Sequence, residues 1–211
     1  RQMCIRDRMK HFNPKDLTQR ENYKLLSGSV LPRPIAFVTS QDKEGHLNAA
    51  PFSFFNVVSS HPPMIMISTG RTEGVRKDTA QNIIDTGEFV VHISELSMIE
   101  GINNTAAPIE REANELERTD FKTIPSDVVN VPAVEGARIR FECKLDRVIE
   151  LGDDKAGSDL ILGEVVRYHI ADDVYIEPHK IDVQALHPVG RLAGNDYVKL
   201  GQEFVLERPT E

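Results

Sequence analysis

Two long runs, Arg138 to Leu151 and Asp159 to Ile170, are rich in β-branched and alternating residues and flank Gly152-Asp-Asp-Lys-Ala-Gly157. Paired runs around a glycine-bounded polar turn fold back on each other as a β-hairpin. The rest of the chain extends the theme. Ile35 to Ser40, Pro63 to Ser68 and Glu88 to Ile93 read as strands, Pro63 to Ser68 as one buried on both faces. His46 to Val58 is extended but interrupted at Pro51, which places it at an edge or an irregularity. Helical spacing is confined to short stretches: Asp16 to Leu26, Thr79 to Asp85 with Asp78 as N-cap and Gly87 closing it, and Ser97 to Ala107, ended by Pro108. Glu110 to Thr119 is charged and weakly helical. Strands dominate without a regular alternation of strand and long helix, so a doubly wound parallel sheet is disfavoured. A closed or nearly closed antiparallel barrel with helices outside fits better.

The chain has 211 residues, enough to bury a core without disulfides or metals. Its 12 prolines and 13 glycines are spread evenly, so no linker divides it, and one domain spanning 9–211 is expected. The first eight residues, RQMCIRDR, are basic and unpatterned; they are expected to be either foreign to the fold or an extension without structure. The formal charge of −8 argues against nucleic acid as the main partner, because phosphate backbones reward basic faces. No apolar run is long enough to span a membrane. Cys4 and Cys143 lack metal or redox spacing and fit a reduced, cytoplasmic setting, Cys143 as an inert thiol.

Several signatures fail when sought. There is no GxGxxG, Walker loop, GxSxG elbow or CxxC. The seven histidines show no metal-binding pair, and Asp153, Asp154 and Asp159 lack calcium-loop spacing, so no metal site is expected.

Three segments carry chemistry instead. In Asn48-Ala-Ala-Pro-Phe-Ser-Phe-Phe-Asn56, Ala49, Ala50 and Pro51 weaken strand pairing but let a flat ligand approach the backbone, while Asn48, Ser53 and Asn56 offer hydrogen bonds to ring heteroatoms. A bulged edge strand would look the same. In Ser68-Thr-Gly-Arg-Thr-Glu-Gly-Val-Arg-Lys-Asp-Thr79, the cations Arg71, Arg76 and Lys77 feed a helix start, a natural phosphate seat; a solvated basic loop is the alternative. Asp78, as N-cap, would occupy amides there and leave the phosphate to side chains. The third, His187-Pro-Val-Gly-Arg-Leu-Ala-Gly-Asn-Asp-Tyr197, reads as a ligand cover or a docking tail.

In this order the segments resemble the flavin reductase-like family, which shares the FMN-binding split-barrel fold. The resemblance rests on Pro32-Arg-Pro-Ile-Ala-Phe-Val-Thr-Ser40, the turn ending at Gly45, Asn48-Ala-Ala-Pro-Phe-Ser-Phe-Phe55, and Lys77-Asp-Thr79 with Asn82. It continues through Gly87-Glu-Phe-Val-Val91 to Gly190-Arg-Leu-Ala-Gly194 and Tyr197, where Ala193 replaces the more usual glycine. It implies a mainly β chain with short helices, an antiparallel split β-barrel of FMN-binding type, working as a homodimer with FMN near the subunit interface. By position, Asn48 to Ser53, including Phe52, would face the isoalloxazine ring, with Thr39 and Ser40 close by. Ser68, Arg71, Lys77, Asp78 and Thr79 would lie toward the phosphate, Asn82 would support that loop, and Arg191 and Tyr197 would close the site from this or the partner subunit.

The activity so implied is hydride transfer from NAD(P)H to flavin, with a small-molecule acceptor or a monooxygenase as the recipient of reduced flavin. Such a reaction needs no acid–base dyad, because the cofactor supplies the electronics. The same pocket would also serve a flavin carrier, a sensor or a partner subunit without turnover. The barrel further hosts oxidases of phosphorylated vitamins and haem-handling relatives.

Overall fold

The computed structural model describes residues 9–106, 114–153 and 155–209. The unpatterned first eight residues and the Pro108 helix stop therefore lie outside the described residues. Helix α1 (Gln19–Ser29) starts where Thr18 and Glu21 form a capping box: Thr18 Oγ1 accepts from the Glu21 N–H at 3.2 Å, and Glu21 Oε2 accepts from the Thr18 N–H at 2.8 Å. This reciprocal pair, together with a separate 3-10 turn at Pro14–Asp16, moves the helix later than the apolar spacing predicts. The spacing also points outward: Tyr23 and Leu26 are 54% and 60% exposed.

Strands β1 (Arg33–Pro34), β2 (Ala36–Gln41), β3 (Leu47–Phe52), β4 (Phe55–Ser60) and β5 (Pro63–Gly70) follow, then α2 (Asp78–Thr86), β6 (Glu88–Ile93) and α3 (Ile99–Asn104). Gly87 ends α2 at φ 75, as its lack of a Cβ allows. At the other end Lys77, not Asp78, takes the cap position and makes no side-chain cap bond; Asp78 is the first helical residue, where an acid favours the helix dipole. Helix α3 is shorter than expected, and Glu115–Arg118 forms a 3-10 turn.

Short strands β7 (Thr123–Ile124) and β8 (Ala133–Val134) precede the hairpin of β9 (Ile139–Gly152) and β10 (Gly157–Ile170). Its turn is set by Asp153 Oδ1, which accepts from the Lys155 and Ala156 N–H groups at 2.9 and 2.8 Å. The chain ends through β11 (Tyr175–Ile176), β12 (Lys180–Ile181), α4 (Val183–Leu186), β13 (Val189–Arg191) and β14 (Tyr197–Lys199).

Seven strands form one antiparallel sheet in the order β3-β2-β6-β9-β10-β5-β4. The two edges, β3 and β4, are joined by only Ser53 and Phe54, so the sheet must curl until its edges meet. Inside the curl sit Val38, Phe52, Phe55, Ile65, Ile67, Ile83, Phe89 and Ile161. Strand β5 is buried on one face rather than two: Ile65, Ile67 and Thr69 turn inward, while Met64, Met66 and Ser68 are only partly covered. Pro51 lies on the edge strand β3, where a missing N–H breaks no ladder of the sheet interior. No helix among the described residues is long and apolar enough to cross a membrane.

Candidate active site

A cleft of about 390 Å³ opens at the seam between the two sheet edges. Pro51, Phe52, Ser53 and Phe54 form one wall; Ser68, Gly70, Arg71, Thr72, Gly157 and Ser158 form the other. Lys77 sits at its margin, and Gln19 and Tyr23 of α1 border it. The strands explain the wall: Ser68 donates its N–H to the Phe54 carbonyl at 2.8 Å, which fixes the seam turn against β5. A Cβ added at Gly70 would meet nothing within 4 Å, so this glycine leaves open room on the ligand side. Tyr23 and Phe54 pack with ring centroids 6.3 Å apart, and Lys77 Nζ lies 5.6 Å from the Phe52 ring centroid. The lining thus combines Pro51, Phe52, Phe54 and Tyr23 with serine hydroxyls, the Lys77 ammonium and the carboxylate-paired Arg71.

The residues expected at a ligand divide into two groups. Pro51, Phe52, Ser53, Ser68, Arg71 and Lys77 line the cleft. Thr39, Ser40, Asn48, Ala49, Thr79 and Asn82 lie behind it, all buried. Their polar atoms are used internally. Asn48 Oδ1 accepts from the Thr79 hydroxyl at 2.6 Å and the Ser40 hydroxyl at 3.3 Å, and Asn82 Nδ2 donates to Ser40 Oγ at 3.4 Å. Thr39 donates to the Pro132 carbonyl at 2.8 Å. Ala50 is half-buried against the core.

Glu115, which the sequence reading passed over, completes this network: it accepts from Asn48 Nδ2 at 2.5 Å and from the Ala49 N–H at 2.9 Å. Burial, reinforced by the charge of Asp78, holds the Glu115 carboxyl above its ordinary range despite these donated bonds. The network ties β3 to the start of α2, and so sets Pro51–Ser53 and Lys77 relative to each other.

The arginines of the basic loop are not directed as a phosphate seat would require. Arg71 Nε lies 3.1 Å from Asp159 Oδ2, with a second contact from its terminal nitrogen to Oδ1, and Arg76 Nε lies 3.2 Å from Asp159 Oδ1. Glu150, opposite Asp159 across the hairpin, engages both guanidinium groups. Burial alone would raise the Asp159 carboxyl, but the two arginines outweigh it and hold it below its usual range. Two carboxylates thus neutralise two guanidiniums, and Lys77, which makes no ion pair with any described residue, supplies the local charge.

Arg191 and Tyr197 stand apart from the cleft. They belong to a three-stranded sheet of β1, β13 and β14, where the Arg191 guanidinium lies 4.3 Å from the Tyr197 ring centroid and Tyr197 donates to Asn103 Oδ1 at 3.0 Å.

A family profile described as the flavin reductase like domain matches residues 27–186. The chain belongs to the flavin reductase-like family. Its curled sheet is the FMN-binding split barrel of that family. YwrF of Bacillus subtilis (strain 168), an uncharacterized protein, is 50% identical over 202 residues, covering 94% of this chain and 98% of its own. Component B of nitrilotriacetate monooxygenase from Bacillus cereus is similar in structure, with a TM-score of 0.91, 49% identity, and coverage of 94% and 98%. The 2-nitrobenzoate 2-nitroreductase NbaA of Pseudomonas fluorescens matches at a TM-score of 0.85 with 33% identity, covering 95% and 97%. Phe54, inside the Asn48–Asn56 segment, lines the cleft as well, and so do Tyr23, Gly157 and Ser158, which lie outside the three segments that carry chemistry in the sequence. Gly157 and Ser158 had a signal, since they end the hairpin turn that returns to the cleft.

Proposed function

We propose that this flavin reductase-like protein binds FMN in the seam cleft and transfers hydride to it from NADH or NADPH. The observation that carries the reading is the cleft itself: Pro51, Phe52 and Phe54 beside Ser53 and Ser68, with the Lys77 ammonium in the same lining. The residues present fit the group. Pro51, Phe52 and Phe54 match a planar ring, Ser53 and Ser68 can donate to its polar edge, and Lys77 can hold a terminal phosphate. The room at Gly70 lets backbone approach it closely, whereas Gly157 is a glycine because a Cβ there would meet the Leu151 carbonyl across the hairpin. When bound, FMN supplies the two-electron chemistry. The chain's own residues then bind and orient: the seam wall holds one face, the buried network behind it keeps the wall in place, and the open side admits the nicotinamide.

Tyr23 of α1 lines the cleft, and Leu26 and Val30, one and two turns further along, are also exposed; this apolar stripe supports a homodimer that packs on α1. The likeness to component B of a monooxygenase supports a role supplying reduced flavin to a separate oxygenase.

The test is anaerobic addition of FMN and then NADH or NADPH to the purified protein. Bleaching of the yellow flavin band faster than in a protein-free control supports the reductase reading and identifies the nicotinamide. Binding without bleaching replaces it with a carrier or partner-dependent role. Failure to bind FMN overturns the flavin assignment.

A further inference from the structure

At the far end of the hairpin from the seam cleft, a second cavity of about 590 Å³ opens beside the ends of β9 and β10. It is lined by Gly136, Ala137, Arg138, Arg140, Tyr168 and His169, with Ile170 and Ala171 at its edge. Ser158, in the cleft, and Tyr168 are ten residues apart on β10, which at strand rise separates the two sites by roughly 30 Å.

Arg140 is the feature that needs explaining. It is half-buried, its Nε is fully covered and has no partner, and its side chain makes no hydrogen bond or ion pair with any described residue. A covered charged donor without an acceptor is costly, and in native proteins such a group points to a missing ion, water or ligand.

The neighbouring charges are already committed. Arg138 is held by Glu95 at 2.5 Å, by Asp173 at 3.4 Å, and by the Ala185 and Leu186 carbonyls at 2.7 Å each. His169, cross-strand from Arg140, has its Nε2 2.6 Å from Glu142 Oε1. Glu142 also accepts from the N–H groups of Asp127, Val128 and Val129, so its lone pairs are spent. The same saturation argues against a metal at Asp127, Glu142 and His169, although their ligand atoms lie within 4.8 Å of one another. What remains is a polar cavity lined by Arg140, whose terminal nitrogens are open to solvent and engaged by no described carboxylate.

We infer that this cavity is a binding site for a small organic oxyanion, carboxylate- or phosphate-bearing, received by Arg140. A guanidinium presents two parallel N–H donors to a planar carboxylate or to two phosphate oxygens, which is the geometry an ammonium lacks. The cavity volume falls in the range of small-molecule sites. The Tyr168 ring, half exposed beside it, offers an apolar surface for the body of such a ligand. The inference does not depend on the flavin reading.

The test uses the full chain saturated with FMN, so that phosphate cannot report on the seam cleft. Titration calorimetry with benzoate, citrate and inorganic phosphate is expected to show one site for at least one probe. Arg140→Gln is expected to weaken that binding roughly tenfold or more, as for loss of a charge-assisted hydrogen bond. Arg147→Gln, on the same strand but outside the cavity, leaves it unchanged. Preference for benzoate or citrate identifies an organic acid, and preference for phosphate a phosphorylated ligand. Should Arg140→Gln fail to fold, phenylglyoxal labelling of Arg140 in the wild-type chain, read by peptide mapping, is expected to slow when the probe is present. Absence of binding by every probe, undiminished binding by Arg140→Gln, or labelling indifferent to the probe each overturns the site. A chain that binds no FMN refutes the proposed function alone, and the titrations with benzoate and citrate still decide the cavity.

Discussion

At the scale of single residues, Lys77 carries the charge that the cleft offers an anion, because Arg71 and Arg76 are neutralised by Asp159 and Glu150. Lys77→Ala is therefore expected to weaken FMN by about 1.5–3 kcal/mol while leaving riboflavin, which lacks the phosphate, unaffected. Fluorescence titration of both flavins checks this; an equal loss for both would place Lys77 against the ring instead. His92 makes a second case. It is fully buried, its Nδ1 lies 2.9 Å from the Phe37 carbonyl, and its Nε2 accepts the Val134 N–H at 2.9 Å. Burial, with the nearby Arg140 charge acting the same way, lowers its pKa from 6.5 to about 4. The unfolded chain then binds a proton that the folded chain refuses, so stability is complete above 6.5 and falls as pH drops toward 4, by about 3 kcal/mol. Urea unfolding across that window measures the loss, and His92→Gln should flatten the slope by that amount. Sequence reading picked out the polar residues near the site but not their direction. Asn48, Ser40 and Thr79 look like ligand donors in a sequence, yet Ser40 and Thr79 donate to Asn48, which Glu115, 67 positions away, holds from its other side as a buried brace.

Among the elements, the hairpin of β9 and β10 does two jobs. It supplies the core face of the sheet, and through Asp159 it anchors the loop that connects β5 to α2. Removing that carboxylate leaves two guanidiniums facing each other over Glu150 alone. Asp159→Ala is thus expected to destabilise the fold by about 1–3 kcal/mol, less than for a fully buried pair because both arginines keep Glu150 and Arg76 reaches solvent. Chemical denaturation measures it, and a change below about 1 kcal/mol would mean that Glu150 can hold both arginines alone. The hairpin and α2 were legible because their signals are local: a glycine-bounded turn in one case, Gly87 in the other. The ends of α1 and the one-sided burial of β5 were not. The capping box at Thr18 outweighs the earlier apolar residues, and the face that β5 buries depends on strands far away in the chain.

For the whole molecule, the apolar flank formed by α1 is the unfinished surface. Tyr23, Leu25, Leu26 and Val30 are 54%, 44%, 60% and 61% exposed, and Tyr23 also lines the seam cleft. Sedimentation equilibrium is expected to give twice the 23.7 kDa chain mass, and Leu26→Glu is expected to shift it toward the single-chain mass while weakening FMN. A single-chain mass for the unaltered protein would show instead that α1 meets a different partner. The split barrel itself was legible from strand order and from the family resemblance, whereas the cavity at Arg140 was not, since a lone arginine in a strand carries no sequence signal of being unpaired. The seam also bears on how such a protein diversifies. Ser53 and Phe54 bridge the two sheet edges and lie outside both flanking strands, so side chains can be exchanged there without shifting the register of any strand. Ligand preference can therefore drift at two positions while the barrel stays as it is, which makes this short bridge the natural place to retune the chain for flavins or acceptors of another size.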